Sequence, residues 1–437
     1  MAKILVMGLG RSGRAAAALA RDQGHDVLGI DLRTQHEPIP GVRIEGGPHR
    51  PEVFEDADEI VVSPGIPLNQ PNVAWALQAG KLVVGELGFA ARALDQPIVA
   101  VTGTNGKSTV VSFTGQLLKT AGFTPFVGGN LGNPLSDAVS SEPRPDVLVV
   151  EVSSYQLELR GDFSPEVGVI LNLTPDHLAR HKTMRAYGTA KAQLFAGMSA
   201  ADVAVTPVTH PVLDEVVQTA ARRAHLGRLP GVQRHGRQAT AQVPGQAPVD
   251  LDLSPVQVAG EHNLDNAATA CLLALAMGAD PEALPDGLAS LTALPHRMQI
   301  VGTRDGIRYI DDSKATNLDA ARAGIGGLAE CAVVLLGGQG KPLADGTLGF
   351  GALVPVLKRH RAVVGFGEAG TQIASELNAA GILCNVCETL DAAVALARER
   401  AQPGDAVLLS PGCASFDAYR DFEARGDAFA AMVMRDA

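Results

Sequence analysis

The sequence predicts an α/β protein with more than one domain, and three observations support this prediction. Short apolar runs, typical of buried strands, alternate with helical patterns along most of the chain. Glycine-rich turns follow several of these runs, as they do at the ligand-binding edge of parallel sheets. At 437 residues the chain is too long for one typical core and indicates two or three domains of about 100 to 200 residues each.

Composition and charge narrow the class of partner. The net charge of −11 argues against a nucleic-acid partner, because phosphate backbones are bound by basic surfaces. No apolar run approaches the roughly 20 residues that a membrane span needs, and Met1–Val6 enters a strand pattern with no cleavable leader. We therefore expect a cytoplasmic protein.

The five cysteines are scattered and odd in number, which argues against a disulfide framework. Cys384 and Cys387 lie within a strand pattern, where alternation directs them to opposite faces. No second cysteine pair stands nearby to complete a zinc site. We predict buried, unreactive thiols.

The first strand is followed by a glycine turn, Gly8–Gly13, and an alanine-rich helix. A second strand, Val27–Ile30, ends at Asp31, which completes the spacing of a dinucleotide fingerprint and alone would nominate an NAD enzyme. The same geometry holds any nucleotide diphosphate on a helix N-terminus, with Asp31 or Arg33 near the sugar or base. Ser63 ends a third strand at the same sheet edge, where it contacts the ligand or caps a turn.

A phosphate-loop pattern follows the apolar run Ile98–Val101. The loop, Gly103–Thr109, has two glycines, a lysine and hydroxyl residues, although its first half is shorter than usual, and a helix pattern follows. The glycines permit positive φ, and the helix N-terminus favours phosphate. Lys107 would neutralise the outer phosphates, while Ser108 or Thr109 would offer a hydroxyl to Mg²⁺. The alternative is a tight turn with an ordinary surface lysine.

Later strands deliver polar residues to the same edge. Glu151 follows an apolar strand and is placed to hold Mg²⁺, or it is a partly exposed strand-end glutamate. His177 follows the next strand, where it would ligate a metal, meet a phosphate or be structural. From physics alone Lys191 is a solvated lysine on a helix.

The last third of the chain contains a second open parallel sheet. Ahead of it, Asn263 and Asn266 cap a helix or face a bound base. The stretch Tyr309–Asn317 places two acids, a lysine and hydroxyls at a strand end, a cluster that is costly to bury unless a ligand uses it. The turn Ser410–Gly412 leads to a helix start with Ser415, which suits a carboxylate.

The chain resembles the Mur ligases of peptidoglycan synthesis from end to end, with three domains in the same order. The shared elements are Gly103–Thr109, Glu151, His177, Lys191, Gly260–Asn263 and His296–Arg297. The stretches Asp312–Asn317 and Ser410–Gly426 are similar to those of the glutamate-adding members, and the third-domain motifs of the diaminopimelate-adding and lysine-adding members are not seen. One departure is Ala179, where relatives often have an acid.

The resemblance implies an ATP-dependent ligase that adds D-glutamate to UDP-N-acetylmuramoyl-L-alanine through an acyl phosphate, as a monomer. It implies a Rossmann-like domain for the UDP-sugar at residues 1–94, a central P-loop ATPase-like domain at 95–297 and a Rossmann-like glutamate-binding domain at 298–437. It implies ATP and two Mg²⁺ ions, the second held by His177 and a carbamate formed on Lys191 by CO₂.

The resemblance also implies roles for individual residues. The catalytic set is Lys107, Glu151, His177 and Lys191, and the metal set is Ser108, Glu151, His177 and Lys191. The ATP contacts are Gly103, Thr104, Asn105, Gly106, Lys107, Ser108, Thr109, Asn266, Arg297 and Asp312. The contacts to the UDP-substrate are Gly10, Arg11, Ser12, Asp31, Arg33, Ser63, Asn130 and Gln156. The contacts to glutamate are Lys314, Thr316, Ser415 and Phe422.

Three other functions compete with the ligase. A dehydrogenase, suggested by the first glycine turn alone, would leave the phosphate loop without a role. A folylpolyglutamate-type ligase shares the ATP domain but lacks the N-terminal sugar-nucleotide module. A non-enzymatic ATP switch would bind ATP without turnover. The amide ligase requires that ADP release depend on both the UDP-substrate and glutamate.

Overall fold

The computed structural model describes residues 1–258, 260–342 and 346–435. The chain divides into two compact units. The first unit comprises Met1–Pro255 and Ala267–Ser290, and the second comprises Val256–Asn266 and Leu291–Ala437.

The strands and helices alternate along the chain. The strands are β1 (Lys3–Met7), β2 (Asp26–Asp31), β3 (Arg43–Gly46), β4 (Glu59–Val62), β5 (Leu82–Gly85), β6 (Ile98–Thr102), β7 (Pro125–Gly129), β8 (Val147–Glu151), β9 (Val167–Ile170), β10 (Val203–Pro207), β11 (Arg222–Leu226), β12 (Gly231–His235), β13 (Gln238–Gln242), β14 (Val249–Asp252), β15 (Gln299–Arg304), β16 (Ile307–Asp311), β17 (Ala332–Gly337), β18 (Ala362–Phe366), β19 (Cys384–Cys387) and β20 (Ala406–Gly412). The helices are α1 (Arg11–Asp22), α2 (Pro51–Asp56), α3 (Pro71–Gln78), α4 (Glu86–Ala91), α5 (Lys107–Thr120), α6 (Ser154–Leu157), α7 (Leu178–His181), α8 (Met184–Ala192), α9 (Pro211–Val216), α10 (Glu261–Ala276), α11 (Leu284–Ser290), α12 (Leu318–Gly327), α13 (Val354–Leu357), α14 (Gly370–Ala379), α15 (Leu390–Arg400) and α16 (Phe422–Arg435). Short 3₁₀ turns occur at Leu135–Ser140, Gln193–Phe195, Pro281–Ala283 and Phe350–Leu353.

The first sheet has the strand order β3-β2-β1-β4-β5, and all its pairs are parallel. From β1 the chain first adds β2 and β3 on one side of the sheet and then β4 and β5 on the other. The gap between β1 and β4, where the order reverses, is the crevice in which open parallel sheets bind ligands. The alanine face of α1 is buried, with Ala16, Ala17 and Ala20 inaccessible to solvent. Gly13 lies so close to the turn after β1 that a Cβ there would stand 1.8 Å from the Gly8 oxygen. Only glycine allows this approach of helix to strand.

The central sheet has the order β14-β13-β12-β11-β10-β9-β6-β8-β7. Its pairs are parallel from β7 through β12, whereas β12, β13 and β14 pair in antiparallel fashion. These antiparallel strands lie between residues 231 and 252. Because β6 lies between β8 and β9, the loops that leave the carboxyl ends of these three strands meet at one edge.

The third sheet has the order β15-β16-β20-β17-β18-β19, in which only the β15–β16 pair is antiparallel. Separate apolar clusters cover its two faces. Cys384 belongs to one cluster and Cys387 packs against the other, as strand alternation predicted. Cys384 is buried as predicted, whereas Cys387 is only partly buried. Burial raises the pKa of both thiols, that of Cys384 to about 11, which favours the unreactive thiol form.

The α/β class predicted from the sequence is confirmed. Each of the three predicted domain ranges contains one of the sheets. The boundaries at residues 94 and 297 stay predictions. No helix in the described part of the chain combines the length and apolar character needed to cross a lipid bilayer.

Candidate active site

The phosphate loop joins β6 to α5 as predicted. Gly103 has φ 150° and Gly106 has φ 86°, both in the range that favours glycine. The Lys107 ammonium folds back over the loop and donates to the carbonyl oxygens of Gly103 at 3.0 Å and Thr104 at 2.8 Å. The loop therefore presents the start of α5 and a lysine at one place, as a polyphosphate site requires.

Glu151 lies beside this loop at the end of β8. Its side chain is buried, and it accepts hydrogen bonds from Ser108 Oγ at 2.5 Å and from Asn130 Nδ2 at 2.7 Å. The alternative of a partly exposed strand-end glutamate is wrong, since the residue is only 3% exposed. A hydroxyl and a carboxylate thus stand together next to Lys107.

Lys191 is buried, contrary to the expectation of a solvated lysine. The residue is 1% exposed, and its ammonium donates to Gly103 O at 2.8 Å and Thr102 Oγ1 at 3.3 Å. Its Nζ also lies 4.7 Å from the ring centroid of Tyr187. Burial lowers the pKa of Lys191 well below the ordinary lysine value, and the charge of Lys107 lowers it further. A neutral amine at this position is chemically accessible.

His177 lies at the start of α7 with a left-handed backbone, φ 55°. Its Nδ1 is 3.0 Å from the Tyr155 hydroxyl, and the two rings pack edge to face with centroids 5.0 Å apart. His181, behind them, is buried and lies 3.0 Å from Ser154 Oγ through Nε2. Tyr155, His177 and His181 therefore form a cluster of aromatic and imidazole rings.

Tyr155 and His177 line a cavity of about 400 Å³, together with Lys107 of the phosphate loop and the start of α1. It brings together seven of the predicted site residues, namely Arg11, Ser12, Lys107, Asn130, Gln156, His177 and Lys191. Tyr155 and Tyr187 also line it, although no role was predicted for either. The size suits part of a small-molecule substrate.

Asp31, Arg33 and Ser63 stabilise the first glycine turn and do not line this cavity. Asp31 accepts hydrogen bonds from the Leu9 N–H at 2.8 Å and from the Arg33 N–H and guanidinium. The Arg33 bond holds the pKa of Asp31 well below its usual range. Ser63 Oγ donates to the Gly8 oxygen at 2.7 Å. These contacts fix the shape of the turn at the sheet crevice.

Gln156 and the asparagine pair have partners within the protein. Gln156 is buried and its Oε1 accepts from the N–H and hydroxyl of Ser153, which closes a capping box on α6. In the second unit, Asn266 donates through Nδ2 to Asn263 Oδ1 at 3.1 Å.

The acidic cluster at the end of β16 is buried, and both acids have partners within the protein. Asp311 lies 2.7 Å from His296 Nδ1, a bond that raises the histidine pKa. Asp312 accepts from Ser410 Oγ at 2.8 Å, and burial raises its pKa to about 7 against the opposing effects of Ser410 and Arg297.

Arg425 on α16 connects the loops that carry the predicted glutamate contacts. Its guanidinium is fully buried and donates to the backbone oxygens of Ser313, Cys413 and Ala414 at 2.9 to 3.1 Å. The sequence analysis missed it, because its partners lie up to 112 positions away.

The predicted glutamate contacts lie on these two loops and on α16. Lys314 Nζ lies 3.6 Å from the Phe422 ring centroid. The backbone N–H of Thr316 donates to the Lys314 oxygen at 2.8 Å, and Ser415 is buried in the turn after β20. A cation, an aromatic ring and a hydroxyl residue are therefore held on a braced framework.

The donor set beside the phosphate loop fits Mg²⁺ that arrives with a nucleotide. Within the described residues, no cluster of three or more His, Cys, Asp or Glu side chains is placed to hold a metal by itself. Mg²⁺ commonly takes one or two protein oxygens together with phosphate oxygens and water, and Ser108 and Glu151 supply that pair. Lys191 as an ammonium does not fit a metal.

Comparisons with known proteins find relatives along nearly the whole chain. Family models match along the chain: the Mur ligase MurD-like N-terminal domain at residues 2–85, the Mur ligase middle domain at 101–274 and the Mur ligase glutamate ligase domain at 296–413. The chain is 38% identical to the UDP-N-acetylmuramoylalanine--D-glutamate ligase of Pelotomaculum thermopropionicum, over 99% of this chain and 97% of that protein. The chain belongs to the Mur ligase family.

This Mur ligase is also 37% identical to the UDP-N-acetylmuramoylalanine--D-glutamate ligase of Myxococcus xanthus, over 99% of this chain and 98% of that protein. Among solved structures, it resembles a pseudomurein peptide ligase type C from Methanothermus fervidus with a TM-score of 0.63, at 17% identity over both whole chains. It resembles the MurF ligase from Thermotoga maritima in complex with ADP with a TM-score of 0.60, at 18% identity over 88% of this chain and 91% of that one. At these identities the structures show a shared fold.

Proposed function

We propose that this Mur ligase is an ATP-dependent amide ligase that adds D-glutamate to UDP-N-acetylmuramoyl-L-alanine in peptidoglycan precursor synthesis. The relatives that are 37% and 38% identical over nearly their whole length carry this activity in their names. The observation that carries the proposal is the cavity of about 400 Å³ that Lys107 of the phosphate loop shares with Arg11 and Ser12 of the first glycine turn. Two nucleotide-binding elements that face one cavity suit a phosphoryl transfer between two nucleotide substrates.

The proposed reaction has two chemical steps. A carboxylate oxygen of the L-alanyl group attacks the γ-phosphorus of ATP, the bond to the bridging oxygen breaks, and ADP leaves. Lys107 and the first N–H groups of α5 neutralise the charge on the phosphates and keep the reacting atoms in line. The glutamate amine then attacks the acyl phosphate carbonyl and loses a proton, and the tetrahedral intermediate expels phosphate to give the amide.

Ser108 and Glu151 would hold one Mg²⁺, and a bound Mg²⁺ supplies charge neutralisation for the phosphates. We infer a second Mg²⁺ at His177 and at a carbamate on Lys191. The low pKa of Lys191 supports the carbamate, because a neutral amine combines with CO₂ to give a carbamate and a proton. Carbamate formation converts the side-chain amine of Lys191 into an anionic group whose oxygens can bind Mg²⁺.

We assign the remaining predicted residues by their chemistry and position. The first glycine turn holds the UDP group at Gly10, Arg11 and Ser12, with Asp31, Arg33 and Ser63 shaping the crevice. Asn130 and Gln156 face the muramoyl part. Asn266, Arg297 and Asp312 contact ATP, and the glutamate contacts are Lys314, Thr316, Ser415 and Phe422. We assign the UDP-sugar to a domain at residues 1–94, ATP to one at 95–297 and glutamate to one at 298–437.

We also infer that the protein is cytoplasmic, since its substrates are soluble nucleotides and amino acids, and that it is a monomer. Light scattering after size-exclusion chromatography should give a mass near 45.2 kDa.

The proposed function is tested by measuring ADP release from ATP with purified protein and Mg²⁺. Release should require both UDP-N-acetylmuramoyl-L-alanine and D-glutamate, and L-glutamate should not replace the D isomer. ADP release without the sugar nucleotide, or NAD reduction in its place, would contradict the proposal.

A further inference from the structure

The side-chain amide of Asn172 is hydrogen-bonded to the backbone of the phosphate loop. Asn172 follows β9, and its Oδ1 accepts hydrogen bonds from the backbone N–H groups of Thr104 at 3.0 Å and Asn105 at 2.9 Å. Its Nδ2 donates to the Asn105 oxygen at 3.0 Å. One side chain therefore satisfies both donors and one acceptor of the residues between the two loop glycines.

The adjoining turn is joined to the same loop. Thr104 Oγ1 donates to the Thr174 oxygen at 3.1 Å and accepts from the Thr174 N–H at 3.0 Å. The backbone carbonyl oxygen of Asn172 also accepts from the Thr104 N–H, at 3.1 Å. The two residues after Gly103 are thus fixed by partners some 70 positions away in the chain.

These bonds hold the first half of the loop before a nucleotide arrives. The backbone N–H groups of Thr104 and Asn105 donate to Asn172 Oδ1, while the start of α5 presents further N–H groups to a phosphate. A loop between two glycines is intrinsically mobile, because glycine restricts the backbone least. Holding its first half in place leaves less conformational freedom to be lost when a ligand binds.

A turn-capping role does not explain this pattern. An asparagine that caps its own turn hydrogen-bonds backbone groups about two residues away. The partners of Asn172 lie 67 and 68 positions away, and all three bonds go to the phosphate loop. The purpose of the side chain therefore lies with the loop.

We propose that Asn172 is a positioning residue for ATP, which preorganises the phosphate loop before the nucleotide binds. This inference rests on the proposed function, because it requires that the loop bind the phosphates of ATP. It predicts a contribution that is specific to phosphate-bearing ligands and absent for the nucleoside.

The test measures binding of ADP and of adenosine to full-length Asn172→Ala by isothermal titration calorimetry with magnesium chloride. Loss of the Asn172 hydrogen bonds should weaken the affinity for ADP about tenfold, the effect expected from losing one or two net hydrogen bonds. The affinity for adenosine should stay within about twofold of the wild-type value. In turnover, KM for ATP should rise about tenfold while KM for D-glutamate stays within about twofold.

Two further variants separate positioning from general destabilisation. Asn172→Asp keeps the oxygen that accepts from both N–H groups and lacks the donor to Asn105, so it should fold as the wild type yet bind ADP less tightly. Asn378→Ala removes an amide that accepts from the Cys384 N–H at 3.0 Å in the second unit, and it should leave ADP binding within about twofold.

Three outcomes would overturn the inference. Unchanged ADP affinity in both Asn172 variants would do so while leaving the proposed function intact. Equal losses for ADP and adenosine would assign Asn172 to the fold alone. A wild-type protein that neither binds ADP nor releases it in the coupled assay would overturn both the inference and the proposed function.

Discussion

Glu86 is a buried carboxyl group that should make the stability of the first unit depend on pH. It lies at the start of α4 and is 2% exposed. One oxygen accepts from the Ser136 N–H at 2.6 Å and the Ser136 hydroxyl at 2.8 Å, whereas the other has no hydrogen-bond partner among the described atoms. Burial raises the pKa of Glu86 to about 7, the Ser136 bonds oppose this rise, and the Asp137 charge adds to it.

The sign and size of the effect follow from this pKa. A carboxyl whose pKa moves from 4.5 to about 7 on folding is penalised when ionised by about 3 kcal/mol. Folding stability should therefore fall as pH rises from 4.5 to about 7, and level off above it, because the unfolded chain ionises first. Glu86→Gln is neutral at every pH and removes this loss. Its stability advantage should grow from about 1 kcal/mol at pH 5.5 to about 3 kcal/mol at pH 8.

Urea unfolding at the two pH values measures this difference, with the fluorescence of Trp75 on α3 reporting on the first unit. Glu55→Gln on α2 is the matched control, because Glu55 is exposed and its variant should follow the wild type at both pH values. An advantage of Glu86→Gln that is the same at pH 5.5 and pH 8 would refute the reasoning.

Three further substitutions test other parts of the structure. Lys107→Ala should lower coupled ADP release at least about a hundredfold, since the charge that neutralises the phosphates is lost, and near-normal turnover would count against the ligase site. Gly13→Ala should destabilise the protein by at least about 2 kcal/mol in urea unfolding, because its Cβ would meet the Gly8 oxygen, whereas a Cβ at Gly10 meets nothing within 4 Å and Gly10→Ala should unfold like the wild type. Arg425→Met should leave buried carbonyls without donors and cost about 2 to 4 kcal/mol by thermal unfolding, and an unchanged Tm would show that the guanidinium braces nothing.

The sequence predicted the elements whose signals are local. The strand, glycine loop and helix around Lys107 appear as expected, because glycine spacing and apolar runs act within a few residues. Glu151 reaches the phosphate loop because parallel strands end at one edge, which follows from the fold class. The opposite faces of Cys384 and Cys387 follow from strand alternation.

The sequence missed contacts that only the tertiary structure brings together. Lys191 has the pattern of a surface helix residue, and its burial depends on the packing of α8 against a loop 88 positions earlier. The acids at the end of β16 have His296 and Ser410 as partners, and Arg425 on the last helix donates to the adjoining loops. Asn172 carries no local signal beyond its place at a strand end.

The strand order of the third sheet has a consequence for how the chain is made. β20 is the last strand in the sequence, yet it lies between β16 and β17. Until residues 406–412 emerge from the ribosome, β16 and β17 each expose an unpaired edge, and that of β17 is the apolar run Ala332–Gly337. This sheet must therefore close after translation of most of the chain, and a product truncated before β20 should aggregate.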